Sequence, residues 1–169
     1  VLNLPGVGPY QQVLLVGVGS EAPSARLLED VGGLVGQWGV LSAVPRIELL
    51  WPDASLPAAG AHLALGASLG QYTFRTYRNA KPGAPVLGQG ALVLRVADAD
   101  ASRRAWDADW SAVAEGVRFS RDLVTEPANT IYPESFVERT RAAFAGVANV
   151  SIEVLDVPAV AAAAHGAGV

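Results

Sequence analysis

Residues 121–133 read Arg-Asp-Leu-Val-Thr-Glu-Pro-Ala-Asn-Thr-Ile-Tyr-Pro. The stretch begins as the end of an amphipathic helix and closes between two prolines. A proline inside a helix loses a hydrogen bond and clashes with the preceding turn, so Pro127 predicts a stop by Glu126. Pro133 has the opposite meaning, because its locked φ suits the first position of a new helix. The segment therefore predicts a bend joining two helices.

Upstream of the bend, Trp106, Trp110, Val113, Val117 and Val124 recur at spacings of three, four and seven, which predicts one long helix over about 102–125. Downstream, Phe136, Thr140 and Phe144 share one side of the helix that Pro133 opens. Residues 150–155, Val-Ser-Ile-Glu-Val-Leu, alternate as a strand, and Pro158 begins an Ala-rich helix. The Ala run at 159–164 is the only low-complexity patch, and there is no internal repeat.

The first hundred residues alternate strands and helices. Residues 12–18, Gln-Val-Leu-Leu-Val-Gly-Val, form a short apolar run of the kind expected of a strand buried on both faces. Pro23 suits a first helical turn, Leu27, Val31, Leu34 and Trp38 follow at helical spacing, and Gly39 is a natural stop. Residues 46–50 read as a strand. A helix over about 57–72 would place Ala58, Ala61, Leu65, Leu69 and Tyr72 on one face. Residues 79–90, with Asn, Lys, Pro and Gly, read as a surface loop, and 91–97 as a strand. Alternation of this kind predicts an α/β fold with parallel pairing. The domains expected are 1–99, a linker helix over 100–125, and a second α/β unit beginning at 126 and running to 169.

Composition narrows the function. Apolar residues make up 51% of the 169-residue chain and charged ones 17%, enough to bury a core. Twelve Lys and Arg against 16 Asp and Glu give a net charge of −4, so nucleic acid is not an expected partner. With no Cys, a disulfide framework and thiolate metal sites are excluded, which fits a reducing cytoplasm. No apolar run approaches membrane-spanning length and no signal peptide precedes Pro5. The missing Met and the strand-like start lead us to expect that both ends lie within a longer polypeptide.

Few residues here could carry chemistry. His62 and His165 stand about a hundred positions apart with no ligand spacing between them, so each is read as structural. Asp98, Asp100, Asp107 and Asp109 are assigned to helix-dipole stabilisation rather than to a hard metal, because no further ligands lie nearby. Ser20, Ser68 and Ser120 lack a nucleophile-elbow context. Asn129 is read as a lock on the bend, its amide bonding backbone, and Arg121, on the apolar side of the long helix, as a buried or interfacial hydrogen-bond anchor. A different class rests on Gly17-Val18-Gly19-Ser20-Glu21-Ala22, which fits a strand–glycine–helix turn for a pyrophosphate. The acid that should hold the ribose about 20 residues later is missing, with Glu48 coming late, so a tight turn packing the helix against the sheet is the preferred reading.

The run from Arg121 to Pro133 resembles the opening of the catalytic domain of the leucyl (cytosol) aminopeptidases: Arg-x-Leu, a polar pair, Pro-x-Asn, then a helix-opening Pro. Thr125 departs from the Asn many members carry. Gln12 to Gly19 is similar to the family's central N-terminal strand. Ala61 to Lys81 is similar to its helix leading into Tyr-x-Phe-x-x-Tyr-Lys, here Tyr72, Phe74 and Tyr77 with Arg78 for the Lys. His165-Gly166-Ala167-Gly168-Val169 resembles the glycine-rich stretch before the next core strand.

The resemblance implies a macro-domain-like N-terminal α/β domain, a long linker helix and a larger catalytic domain of which this chain holds only the start. It implies a metallo-aminopeptidase acting on peptides with two divalent ions, Mn or Zn, and assembled as a homohexamer in the cytoplasm. In such a site one ion polarises the scissile carbonyl and a bridging water becomes the nucleophile. The family's ligands and its Asn-Thr-Asp-Ala-Glu-Gly-Arg signature are absent from these 169 residues. No catalytic, cofactor-binding or metal-ligating residue is therefore assigned, and no membrane or nucleic-acid partner is expected.

Overall fold

The computed structural model describes residues 1–42, 44–78 and 91–160. They divide into two compact units, Val1–Asp122 and Leu123–Val169. The expected loop at 79–90, His165 with its glycine-rich neighbours and most of the Ala-rich run lie outside the described residues.

The first unit opens with a hairpin of β1 (Leu2–Val7) and β2 (Tyr10–Leu15), paired antiparallel from Leu2↔Leu15 to Val7↔Tyr10. Gly8 takes φ +59 at the first of the two loop residues, as a hairpin turn of the II′ kind requires. This corrects the reading of 12–18 as a doubly buried strand. The strand stops at Leu15, Tyr10 to Gln12 are exposed, and Val13 and Leu14 are only half-buried. An apolar run does not specify its neighbour, and here a local turn supplies an antiparallel one.

Helix α1 (Ala25–Ser42) starts where the Ser24 hydroxyl accepts the Leu27 N–H at 3.2 Å. Pro23 therefore sits just ahead of the helix, not inside its first turn. Gly39 does not end it either. A Cβ at Gly39 would overlap the Ile47 side chain, so the glycine serves close packing inside a continuing helix. Strands β3 (Arg46–Trp51) and β4 (Ala91–Val96) pair in parallel, in register from Arg46↔Ala91 to Trp51↔Val96. Between them comes α2 (Ala59–Gly70). This β–α–β order gives the expected α/β class.

The inner face of β3 alternates Ile47, Leu49 and Trp51 into a core with Leu28, Val31 and Val35 of α1 and Ala59 and Leu63 of α2. Helix α2 is more enclosed than a single apolar stripe predicts, since none of its residues is exposed. It lies tight against α1. A Cβ on Gly32, Gly36, Gly66 or Gly70 would strike backbone of the facing helix, so the two helices approach only because these positions are bare.

On the outer face, Glu48 joins the strands. Arg46 Nη2 donates to its Oε1 and Arg95 Nε to its Oε2, both at 2.9 Å. The hydrogen bond from Arg95 and then that from Arg46 hold the Glu48 carboxyl below its ordinary range. The Arg95 bond crosses from β4 to β3 and favours the observed register.

The long helix begins at Ala99, earlier than expected. It comprises α3 (Ala99–Ala105), a π-helical turn (Trp106–Trp110) and α4 (Ser111–Thr125). Asp98 caps it, its Oδ1 accepting the Ala101 N–H at 2.9 Å. Asp100 lies in the first turn, but Asp107 and Asp109 are exposed in the π turn, past the reach of the N-terminal dipole.

In the second unit, α5 (Pro133–Ala143) opens on Pro133 as expected. The expected strand at 150–155 does not form; those residues have no regular structure. Among the described residues no strand lies beside them, and an unpartnered strand leaves its backbone groups unsatisfied. A helical turn follows at 157–160, where Asp156 accepts the Ala159 N–H at 2.9 Å.

Candidate functional site

The densest set of specific polar contacts in the first unit lies where the long helix rests on α2. At the start of α2, the buried Ser102 hydroxyl accepts the Gly60 N–H at 3.1 Å and donates to the Asp98 carbonyl at 2.7 Å. Ser102 thereby satisfies one of the N–H groups that a helix start leaves open. One turn on, His62 Nδ1 lies 2.9 Å from Glu29 Oε1 of α1, and its ring meets Trp110 with centroids 4.9 Å apart. A carboxylate only accepts, so Nδ1 is the donor. His62 is thus held between α1 and the π turn.

At the other end, α2 carries no basic residue in its last turn. The long helix supplies the missing positive charge. Arg121 Nη1 donates to Leu69 O at 2.9 Å and Arg118 Nη2 to Ser68 O at 3.3 Å. Cations there complement the carbonyl end of the helix dipole. The Arg121 guanidinium also sits over the Tyr72 ring, 5.4 Å from its centroid, and Tyr72 donates its hydroxyl proton to Asp122 Oδ1 at 2.8 Å. Arg121 is the anchor expected from its position, though exposed rather than buried. Ser102, Tyr72 and Asp122 were not legible as partners, because helix contacts fifty residues apart leave no local pattern.

A cavity of about 190 Å³ opens at the carboxyl ends of β3 and β4, lined by Asp53, Leu56, Pro57, Val96, Asp98 and Ser102 among others. Ligands of α/β sheets often bind at such an end. Here the polar groups are already engaged: Asp53 Oδ1 accepts the Ser55 N–H at 2.7 Å, and Asp98 and Ser102 serve as caps. Hydrogen bonds from Ser55 hold the Asp53 carboxyl below its ordinary range. The buried Trp51 Nε1 has no acceptor among the described residues, and Trp51 is not among the cavity's lining residues.

The glycine turn at 17–22 gives the nucleotide alternative no support. Residues 16–24 have no regular structure, and a Cβ on Gly17 or Gly19 would meet nothing within 4 Å, so the close packing of helix on sheet expected of this turn is not what these glycines serve. Gly19 serves its own φ of +81. Glu48 is engaged by two arginines. Ser120 Oγ donates to the Gly116 carbonyl at 2.9 Å within its own helix. Among the described residues, no three His, Cys, Asp or Glu side chains gather as metal ligands, so these residues do not fit a dinuclear centre.

In the second unit the bend is held differently from expectation. The Pro127 carbonyl accepts the N–H groups of Thr130 and Ile131, and Ser135 Oγ donates to the Thr130 carbonyl and accepts the Tyr132 N–H, both at 2.9 Å. Arg139 reaches back to the largely buried Glu126 carboxylate at 2.9 Å. Asn129 is exposed and makes no side-chain hydrogen bond among the described residues, so the lock assigned to it belongs to Ser135, Glu126 and Arg139.

No family model matches the chain. Curated relatives do. A protein named "Probable cytosol aminopeptidase" from Xanthobacter autotrophicus is 37% identical over 150 residues, covering 88% of this chain and 30% of its own length. One so named from Gluconobacter oxydans is 36% identical over 177 residues, covering 99% of this chain and 33% of its own length. This chain belongs to the cytosol aminopeptidase family. It spans about a third of the length of the relatives it matches. Among solved structures, a tomato leucine aminopeptidase mutant superposes with a TM-score of 0.77 at 21% identity, over 95% of this chain and 32% of that one, a likeness of fold. The bottromycin maturation enzyme BotP matches at 0.66 and 27% identity, over 95% of this chain and 34% of that one. The same enzyme in complex with Mn matches at 0.61 and 28%, over 85% and 30%. Among the described residues, no helix is long and apolar enough to cross a membrane.

Proposed function

We propose that the full-length protein is a cytoplasmic, metal-dependent aminopeptidase releasing N-terminal residues from peptides, and that these residues are an architectural part of it. The observation that carries this is the likeness to cytosol aminopeptidases along nearly the whole chain. The Mn in the BotP complex supports a divalent metal, Mn or Zn. We assign its ligands to the remaining two-thirds of the protein, and no step of the reaction to the residues described here.

In this reading residues 1–99 form part of the N-terminal domain, 100–125 the linker helix and 126–169 the start of the catalytic domain. Support for the last comes from the second unit's surface. Phe136, Phe144, Val147, Val150, Val154 and Leu155 are all exposed, and none of its described residues is buried. Open apolar surface of that extent supports a reading in which further chain of the full-length protein packs on this segment. Assembly as a homohexamer belongs to the same proposal.

The test uses the full-length protein on leucine p-nitroanilide after chelation and then with Mn²⁺ or Zn²⁺ restored. Metal-dependent release of nitroaniline is expected, and turnover that ignores the metal rejects the proposal. The 169-residue chain by itself should be inactive at any metal concentration, and hydrolysis by it would contradict the assignment of the ligands.

A further inference from the structure

The π turn at Trp106–Trp110 interrupts an otherwise continuous helix, and the side chains on either side of it show what it accomplishes. Only two residues of the long helix are buried, Ser102 before the turn and Ala114 after it. Ser102 belongs to the side that rests on α2, together with Trp110 and Arg121.

An α-helix advances about 100° per residue. Counted from Ser102 in an uninterrupted α-helix, Trp110 would lie about 80° away around the axis, Ala114 about 120° and Arg121 about 100°. These three residues, the last of the turn and two beyond it, agree with one another, and all three are out of phase with Ser102 by about one residue's rotation. A π turn closes i→i+5 hydrogen bonds and holds one residue more than an α turn. The Ser111 N–H donates to the Trp106 carbonyl, five residues back. That extra residue removes the discrepancy and returns everything after it to the face that Ser102 occupies.

We infer that the π turn is a register device: it rotates the second half of the long helix by one residue, so that Ser102 can cap the start of α2 while Arg118, Arg121 and Asp122 clamp its end. Without the turn, one helix could not serve both ends of α2. The clamp closes at Asp122, the last residue of the first unit.

Deleting the exposed Ala108 from the full-length protein should convert the π turn to α-helix. A double-mutant cycle with Tyr72→Phe and Asp122→Asn, read by urea denaturation, should show coupling in the parent and none in the deletion. Inserting one alanine after Ala112 in the deletion background should restore that coupling but not the His62–Trp110 contact. Coupling that survives the deletion overturns the inference. A second measurement needs no deletion. In the unmodified protein the Gly60 amide should exchange slowly with solvent hydrogen, Ser102→Ala should speed it, and the Tyr72–Asp122 coupling should be present as well. Failure of either half shows that the helix does not serve both ends of α2, and the inference falls.

Discussion

Glycine-to-alanine exchange at Gly66 and at Gly116 should move stability in opposite directions, although both residues sit inside helices. On intrinsic propensity alone, each exchange favours the helix by about 1 kcal/mol. Gly116 faces open space, with nothing within 4 Å of where a Cβ would stand, so the alanine variant should keep most of that gain. At Gly66 the new methyl would overlap the Glu29 carbonyl oxygen and stand 2.7 Å from its carbon. The obstruction is backbone and cannot rotate away. Helix α1 would have to withdraw by roughly an ångström to reach ordinary contact distance. That withdrawal would also loosen the facing glycine contacts at Gly32, Gly36 and Gly70 and the His62–Glu29 hydrogen bond. Overpacking costs about 1–3 kcal/mol, and a backbone clash belongs at the upper end. Subtracting the propensity gain leaves Gly66→Ala destabilised by about 2 kcal/mol, or roughly 4–8 °C in Tm for a chain of this size. Urea denaturation followed by far-UV circular dichroism would measure both variants against the parent. If Gly66→Ala is as stable as the parent, or if both variants shift the same way, the close approach of α1 and α2 is not what these glycines are for.

Ser102→Ala removes the acceptor of the buried Gly60 N–H and should cost about 1–3 kcal/mol, whereas Ser120→Ala, on an exposed surface, should stay within about 0.5 kcal/mol. Leu63 is fully buried between α1 and the sheet, so Leu63→Ala should lose about 2–5 kcal/mol in the same denaturation assay. The Glu48 carboxyl sits below its ordinary range, so its contribution is present above the unfolded carboxylate's range and is lost as pH falls through the folded value. Glu48→Gln should therefore be less stable than the parent at neutral pH, and the gap should narrow on acidification; a gap that stays constant down through the acid range would contradict the Arg46–Glu48–Arg95 arrangement. Ser135→Ala should loosen the bend, seen as faster proteolytic cleavage at residues 126–133, and an unchanged cleavage rate would remove Ser135 from its role there.

Local chemistry in the sequence determined a good deal. The residue types of 46–51 and 91–96 make strands, the β–α–β order makes them parallel, and Pro133 opens a helix because its φ is locked. The run from Arg121 to Pro133, together with the stretches at 12–19, 61–81 and 165–169, carried the resemblance to the family. Pairing and phase were decided only in three dimensions. The apolar run at 12–15 could not announce that its neighbour would be Leu2–Val7, nor 150–155 that no described strand would lie beside it. Gly39 looks like a stop until Ile47 is seen to fill the space of its missing Cβ. The stripe of Trp106, Trp110, Val113, Val117 and Val124 was read on a constant 3.6-residue period, whereas the helix carries a π turn at 106–110, Val113 and Val124 are exposed, and Ala114 is buried instead. Periodicity is a property of neighbours along the chain. Which strand pairs with which, and where a helix slips by one residue to satisfy a partner forty or fifty positions away, depends on contacts that exist only once the chain has folded.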